Sequence, residues 1–294
     1  MGLLLSVLEQ GMIYAIMALG VYITYKILDF PDLTVDGSFP LGAAITAVLI
    51  RNGVNPFLIL PICFVAGGLI GILTGLIHVK LKVRDLLSGI IMMTALYTVN
   101  LRIAGKANVP FYTSETIFDN RIVNTLIPDS LADYRTVIVM LVLMLLMKYL
   151  LDWYMKTKSG MLLRAVGDND TLVTSLGIDK GLVKIVGLSI ANALVTLSGG
   201  IFAQQQRFFD VSSGTGTVVI GLASVIIGTS LLKNITFIRV TSSVVIGSLL
   251  YKGCVALAIR FGLQASDMKL VTAVLFLIIL VISMDRKKKV SANA

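Results

Sequence analysis

The sequence predicts an all-α polytopic membrane protein, and three observations carry that prediction. Apolar windows long enough to cross a bilayer recur along the 294 residues, only 14% of the side chains are charged, and the basic ones gather in short clusters between the windows. A soluble domain has roughly 25% charged and about 45–50% apolar residues; here the apolar share is 56%. That leaves too little charge to cover a water-facing surface of this size. The mean hydropathy of +0.92 points the same way.

Nine apolar segments read as helices: 5–25, 36–50, 54–79, 86–104, 136–154, 183–204, 217–232, 238–259 and 268–284. A span needs about 20 apolar residues, so eight or nine crossings are expected. The first segment lacks a basic start and an A-x-A-like cleavage site, and Glu9 and Gln10 interrupt it, so it is expected to be retained. Before the second comes "LDFPDLTVDGSFPLGAA", residues 28–44. Pro31 and Pro40 each remove a backbone donor, Gly37 permits a turn, and Thr34 and Ser38 can satisfy freed backbone groups. A broken helix is expected. Irregular backbone at membrane depth is tolerated only against protein or a water-filled cavity. Asp29 and Asp32 are expected at the membrane interface, with Asp36 the carboxylate that enters. Two readings stay open for Asp36: a pathway residue, since a carboxylate in a span marks a functional site by default, or a cap on the second span.

The third segment carries Gly67, Gly71 and Gly75, a small-xxx-small ladder suited to close helix contact, within one subunit or between two. Polar groups in the spans either join helices by hydrogen bonds or line a pathway. The pathway candidates are Asp36, Ser38, Tyr97, Asn100 and Asn192. Lys148 and Asp152 lie four apart in the fifth segment and are expected to pair. The second and seventh segments are short and glycine-broken, and read as broken or re-entrant. Lys252 in the eighth is expected to face the protein interior.

Orientation follows the lysines and arginines. With the N-terminus outside and the C-terminus inside, 15 of the 25 basic residues fall on the cytoplasmic side, including Lys80, Lys82, Arg84 and the tail Arg286 to Lys289. Eight fall outside, and Lys148 and Lys252 stay within spans. Two loops are long: an outer one over 105–135, with Pro110 and Pro128 as breakers, and a cytoplasmic one over 155–182. A basic tail closes the chain at 285–294. Residues 1–294 thus form a single transmembrane domain with no soluble catalytic unit.

Familiar catalytic patterns are missing. The sequence has no G-x-x-x-x-G-K-[ST] phosphate loop, no H-E-x-x-H, no G-x-S-G and no G-x-G-D. One histidine, His78, and two cysteines, Cys63 and Cys254, cannot assemble a Cys/His metal site. The net charge of +9 is spread as membrane orientation requires, which argues against a nucleic-acid partner.

In the 155–182 loop Gly167 can break the chain, Asp168 or Asn169 can cap a helix, and Asp170 suits its positive end. "TLVTSL" then makes about two turns, which Gly177 stops. The segment is an ordinary connector or a short amphipathic helix across the inner face.

"RAVGDNDTLVTSLGID" followed by "KGLVKIVGLSIANALVTLSGGIFA" resembles the permeases of the branched-chain amino acid and ribose ABC importer superfamily. "GLASVIIGTSLLKN" is similar to that family's re-entrant A-A-V-V-I-G-G-T-S-L element, with the single glycine Gly228 where many relatives have two. The aspartate-rich opening is similar to a narrower branch, permeases of tryptophan and tyrosine uptake systems. The resemblance implies the membrane subunit of a bacterial importer in the cytoplasmic membrane, carrying a small solute such as an amino acid. It implies a second permease subunit as a homodimer partner, a separate ATPase that holds ATP and Mg, and an extracytoplasmic substrate-binding lipoprotein; no cofactor is expected on this chain. It places ATPase coupling on Arg164, Gly167, Asp168, Asn169, Leu172, Leu176 and Gly177, and a re-entrant element on Gly228, Thr229 and Ser230. A stand-alone secondary transporter is the alternative.

Single cysteines at Ser114 and Ser291, with Cys63 and Cys254 replaced, test the orientation. An impermeant maleimide applied to intact cells should label position 114 and not 291. Labelling at 291 without permeabilisation overturns the assignment.

Overall fold

The computed structural model describes residues 2–232, 239–260 and, between 270 and 281, all but 275 and 279. Lys233 and the basic tail 285–294 lie outside the described residues, as does part of the ninth segment. The first helix, α1 (Gly2–Tyr22), continues through a π-helical turn, Ile23–Ile27. After an irregular stretch come α2 (Val35–Arg51), α3 (Pro56–Val79) and α4 (Asp85–Ala104). Strand β1 (Asn108–Pro110), α5 (Arg121–Leu126) and α6 (Arg135–Tyr154) follow. Next are α7 (Lys158–Asp168), α8 (Asp170–Ser175) and the 27-residue α9 (Lys180–Gln206). Strand β2 (Phe208–Asp210), a 3-10 turn over Val211–Gly214, α10 (Thr217–Leu231) and α11 (Val240–Arg260) complete the named elements. The described residues between 270 and 281 are also helical.

Seven helical stretches among the described residues are long and apolar enough to cross a membrane. Helix α2, with 17 residues, is not among them. It is nonetheless helical from Val35, with Pro40 inside it, so the expected break lies earlier, at 28–34.

Helix α9 is the axis of the bundle. Of its most apolar window 78% is buried, against 22% for α6 at the rim. Small residues make that position available. A Cβ at Gly71 of α3 would collide with the Leu188 carbonyl, one at Gly67 with that of Asn192, and one at Gly199 of α9 with that of Phe39. The glycine ladder is therefore a seam between α3 and α9 of one chain. Without a hydrophobic drive between helices in lipid, such backbone contact is what holds them. Helices α1, α10 and α11 pack together on the other side: Ser248 Oγ donates to the Gly11 carbonyl at 2.8 Å, and a Cβ at Gly221 would meet Val21 Cγ2 at 2.7 Å.

The long loop after α4 is structured. Strand β1 pairs antiparallel with β2 in the register Val109↔Phe209, and Val109, Phe111 and Phe209 form a second apolar cluster with Ile50 and Ile59. Arg207, left-handed at φ 60, ends α9 and donates to Tyr112 O and Asp119 Oδ2, each at 2.8 Å. The Arg207 hydrogen bond holds the Asp119 carboxyl below its usual range.

Gly71→Ala puts a methyl into the Leu188 backbone, and overpacking costs about 1–3 kcal/mol. The melting midpoint in detergent should fall by roughly 2–12 °C, at about 2–4 °C per kcal/mol. Gly253 of α11 has nothing within 4 Å of its Cβ position, so Gly253→Ala should leave the midpoint unchanged or raise it. Equal midpoints for the two variants would refute the seam.

Candidate functional site

Residues 28–36 leave the π-turn and run alongside the middle of α9. Pro31 cannot donate to a helical ladder, and Asp32 turns the chain by accepting the Thr34 N–H on Oδ1 at 2.9 Å. Its Oδ2 accepts from Asn192 Nδ2 at 2.8 Å, and Asn192 Oδ1 accepts the Ser38 hydroxyl at 2.7 Å. Asn192 lies 12 residues into α9 (192 − 180), about 18 Å from its start at 1.5 Å per residue. Asp32, 5% exposed, is thus deep in the bundle rather than at the interface, and only Asp29 is exposed as expected. The reason is the Asn192 amide, which receives the Asp32 carboxylate far from either end of α9.

Asp36 lies in the first turn of α2, yet its carboxylate serves another helix. Oδ1 accepts the Val218 N–H at 2.8 Å and the Thr217 hydroxyl at 2.9 Å; Oδ2 accepts the Gly216 N–H at 2.9 Å. A helix start leaves its first N–H groups without intrahelical partners, and a carboxylate there also faces the positive end of the helix dipole. Asp36 therefore caps α10, not the second span. Pro40 creates a notch one turn on, where Gly214 packs against the Asp36 carbonyl and the proline ring. Asn100 Nδ2 donates to the Gly37 carbonyl at 3.0 Å, tying α4 to the same turn. Of the pathway candidates Asp36, Ser38, Asn100 and Asn192 come together here. Tyr97, 54% exposed, points away.

The "GLASVIIGTSLLKN" stretch is helical from Thr217 to Leu231 without a break at Gly228. A Cβ at Gly228 would strike the Ser243 carbonyl of α11, and Thr229 Oγ1 donates to the Val225 carbonyl at 2.7 Å. Ser230 follows in the last turn.

The 155–182 loop folds as α7 and α8. Gly167 is inside α7 and does not break it; a Cβ there would collide with the Ile27 carbonyl of the π-turn. The break falls at Asn169, extended at φ −156 and ψ 95, whose Oδ1 accepts the Thr171 hydroxyl at 2.6 Å. Arg164 and Asp168 are exposed on α7. Gly177, at φ 77, ends α8: its N–H donates to the Thr174 carbonyl and that of Ile178 to the Val173 carbonyl. Asp170 and Lys180 close the unit with a 2.8 Å ion pair, and the Lys180 hydrogen bond keeps the Asp170 carboxyl below its usual range. Leu176 is 69% exposed. The Leu172 side chain lies outside the described ones.

Lys148 and Asp152 pair at 3.1 Å, as their spacing predicts. No local pattern predicts that Arg239 Nη1, at 3.1 Å, and the Thr241 hydroxyl, at 2.6 Å, converge on the same carboxylate at the start of α11. Among the described residues no group of three or more His, Cys, Asp or Glu could hold a metal ion.

The family model described as branched-chain amino acid transport system, permease component, matches residues 3–284. A tyrosine transport system permease protein of Clostridioides difficile is 42% identical over 93% of this chain and 89% of its own length. An uncharacterised protein of Rickettsia prowazekii is 31% identical over 95% and 96%. A probable branched-chain amino acid transport permease of Methanocaldococcus jannaschii is 26% identical over 76% and 73%. No solved structure matches. With the bundle of apolar spans, these matches decide the class: the chain belongs to the branched-chain amino acid transport permease family, the multi-pass membrane components of ABC-type transport systems.

Proposed function

We propose that this chain is the permease subunit of an importer for an amino acid, an aromatic one in particular, in the bacterial cytoplasmic membrane. The 42% identity to a tyrosine permease over nearly the whole chain carries the solute class. The working unit is two permease subunits, two ATPase subunits that hold ATP and Mg, and a substrate-binding lipoprotein that delivers the solute to the β1–β2 end. The orientation is N-out and C-in, supported by the 15-to-8 distribution of basic residues.

The single observation behind the mechanism is the packing of α7 on the π-turn. Helix α8 is stiffened by the Asn169 and Gly177 ends and presents Leu176 for docking on the ATPase. Movement of α8 reaches α7, and Gly167 lies directly against the Ile27 carbonyl. Ile27 leads through residues 28–34 to Asp36, which holds the start of α10. ATP-driven closure of the ATPases therefore has a short route of contacts to the buried start of α10. Substitutions along this route test the coupling.

Leu176→Asp should leave the permease inserted but weaken ATPase co-purification. Losing one docked apolar side chain is worth about 1.5–3 kcal/mol, or roughly one to two decades in affinity. Gly167→Val should keep the ATPase bound while hydrolysis in proteoliposomes no longer drives uptake. If both variants transport like wild type, α7–α8 is a plain connector.

Asp36→Ala removes three hydrogen bonds from the α10 start, and losing a cap costs about 0.5–2 kcal/mol. Uptake should fall at least several-fold at equal membrane expression, with Asp29→Ala, at an exposed position, close to wild type. Matching small effects in radiolabelled uptake would remove Asp36 from the mechanism.

A further inference from the structure

Lys252 carries its amino group within a membrane-spanning helix, and its immediate partners are neutral. Nζ lies 3.8 Å from the centroid of the Tyr14 ring and donates to Gln10 Oε1 at 3.4 Å. Among the described residues no carboxylate comes within 4 Å of it. An aromatic face and an amide oxygen hold a cation in place without cancelling its charge. Intramembrane cations are costly and usually pair with an anion.

Beside Lys252 a cavity of about 370 Å³ opens between α10 and α11. Its wall includes Thr215, Gly216, Ile220, Tyr251, Val255 and Thr272. That is room for a small solute by the usual measure of about 300–1,000 Å³ for ligand pockets. The lining combines aliphatic side chains with two threonines, a tyrosine and one lysine. Gly216, also in the wall, has its N–H bonded to Asp36. Lys252 is the charged group among the lining residues and matches the carboxylate of an amino acid.

We propose that this cavity is a subsite for the permeating solute, in which Lys252 receives its carboxylate. The inference rests on the amino-acid reading above and adds the residue that recognises the acid end. Tyr14 and Gln10 hold the ammonium until the carboxylate arrives. The apolar body lies against Ile220 and Val255.

The test uses the transporter assembled in phosphatidylcholine nanodiscs, with its lysines carrying 13C-dimethyl groups that keep their charge. The Lys252 resonance is assigned by its loss in Lys252→Arg. L-Tyrosine and 3-phenylpropionate, which have a carboxylate, should shift that resonance, and tyramine, which lacks one, should not. In proteoliposomes Lys252→Gln should lower maximal tyrosine uptake at least tenfold, whereas Lys252→Arg should stay within about threefold of wild type. The subsite is overturned if both carboxylates leave the resonance in place, if tyramine shifts it equally, or if Lys252→Gln transports at the wild-type rate. A shift produced by phosphatidylglycerol nanodiscs and by neither carboxylate makes this a lipid-phosphate site and also overturns it. A phenylpropionate shift without any wild-type tyrosine uptake keeps the subsite and removes the amino-acid reading. Tyrosine uptake without a shift does the reverse.

Discussion

A helix that begins inside packed protein must find acceptors there for its first N–H groups, and Thr217 and Val218 at the start of α10 are buried. Asp36 meets that requirement for α10 with one carboxylate that accepts the Gly216 and Val218 amides and the Thr217 hydroxyl. Much else is arranged around this contact. Ser38, two residues on, is fixed by Asn192 of α9, and Asn100 of α4 grips the carbonyl of Gly37 between them. Pro40 lets the Val211–Gly214 turn seat against α2 on its way to the cap. Hydrogen bonds to a charged acceptor are stronger than neutral ones, so the α10 start is well held while the charge is spread over three donors.

The parts of this architecture that the sequence shows are those that depend on near neighbours. Apolar windows mark spans because burial in lipid acts on about 20 consecutive residues, and Lys148 meets Asp152 because four residues is one helical turn. Gly177 reads correctly as a stop because its φ of 77 is a local need. Gly167 misleads because glycine serves two purposes: read as a turn, it is a point of close approach to Ile27. Asp32 misleads for another reason. Its depth is set by Asn192, 160 residues away, and no local pattern reports that partner. The α10 cap is hidden in the same way, since Asp36 and Gly216 are 180 residues apart. The loop after α4 looks irregular because the partner of its strand, Phe208–Asp210, arrives a hundred residues later.

A second carboxylate, Asp152, joins elements at the α7–α8 end. Lys148 approaches from its own helix, and Arg239 and Thr241 from the start of α11. Asp152 is only 8% exposed, so removing its partners would strand a charge. Breaking such a pair from one side costs about 3–5 kcal/mol, more than the intact pair contributes over an apolar substitute. The geometry is therefore better understood as fixing where α11 begins relative to α6 than as added stability.

Together the two carboxylates hold the α10–α11 pair at its two ends. Within the pair, Gly228 and Gly247 bring the backbones into direct contact with Ser243 and Ser224, which leaves little room for sliding. At the ends the attachments are side-chain hydrogen bonds, each centred on one carboxylate with several donors. Close-packed surfaces resist small deformation and shift between discrete arrangements. Hydrogen bonds that share one acceptor are lost together when that acceptor moves. The attachment of the pair at its two ends therefore rests on Asp36 and Asp152, and both lie on segments adjoining α7: Asp36 beyond the π-turn that α7 packs against, and Asp152 in the last turn of the helix that precedes it.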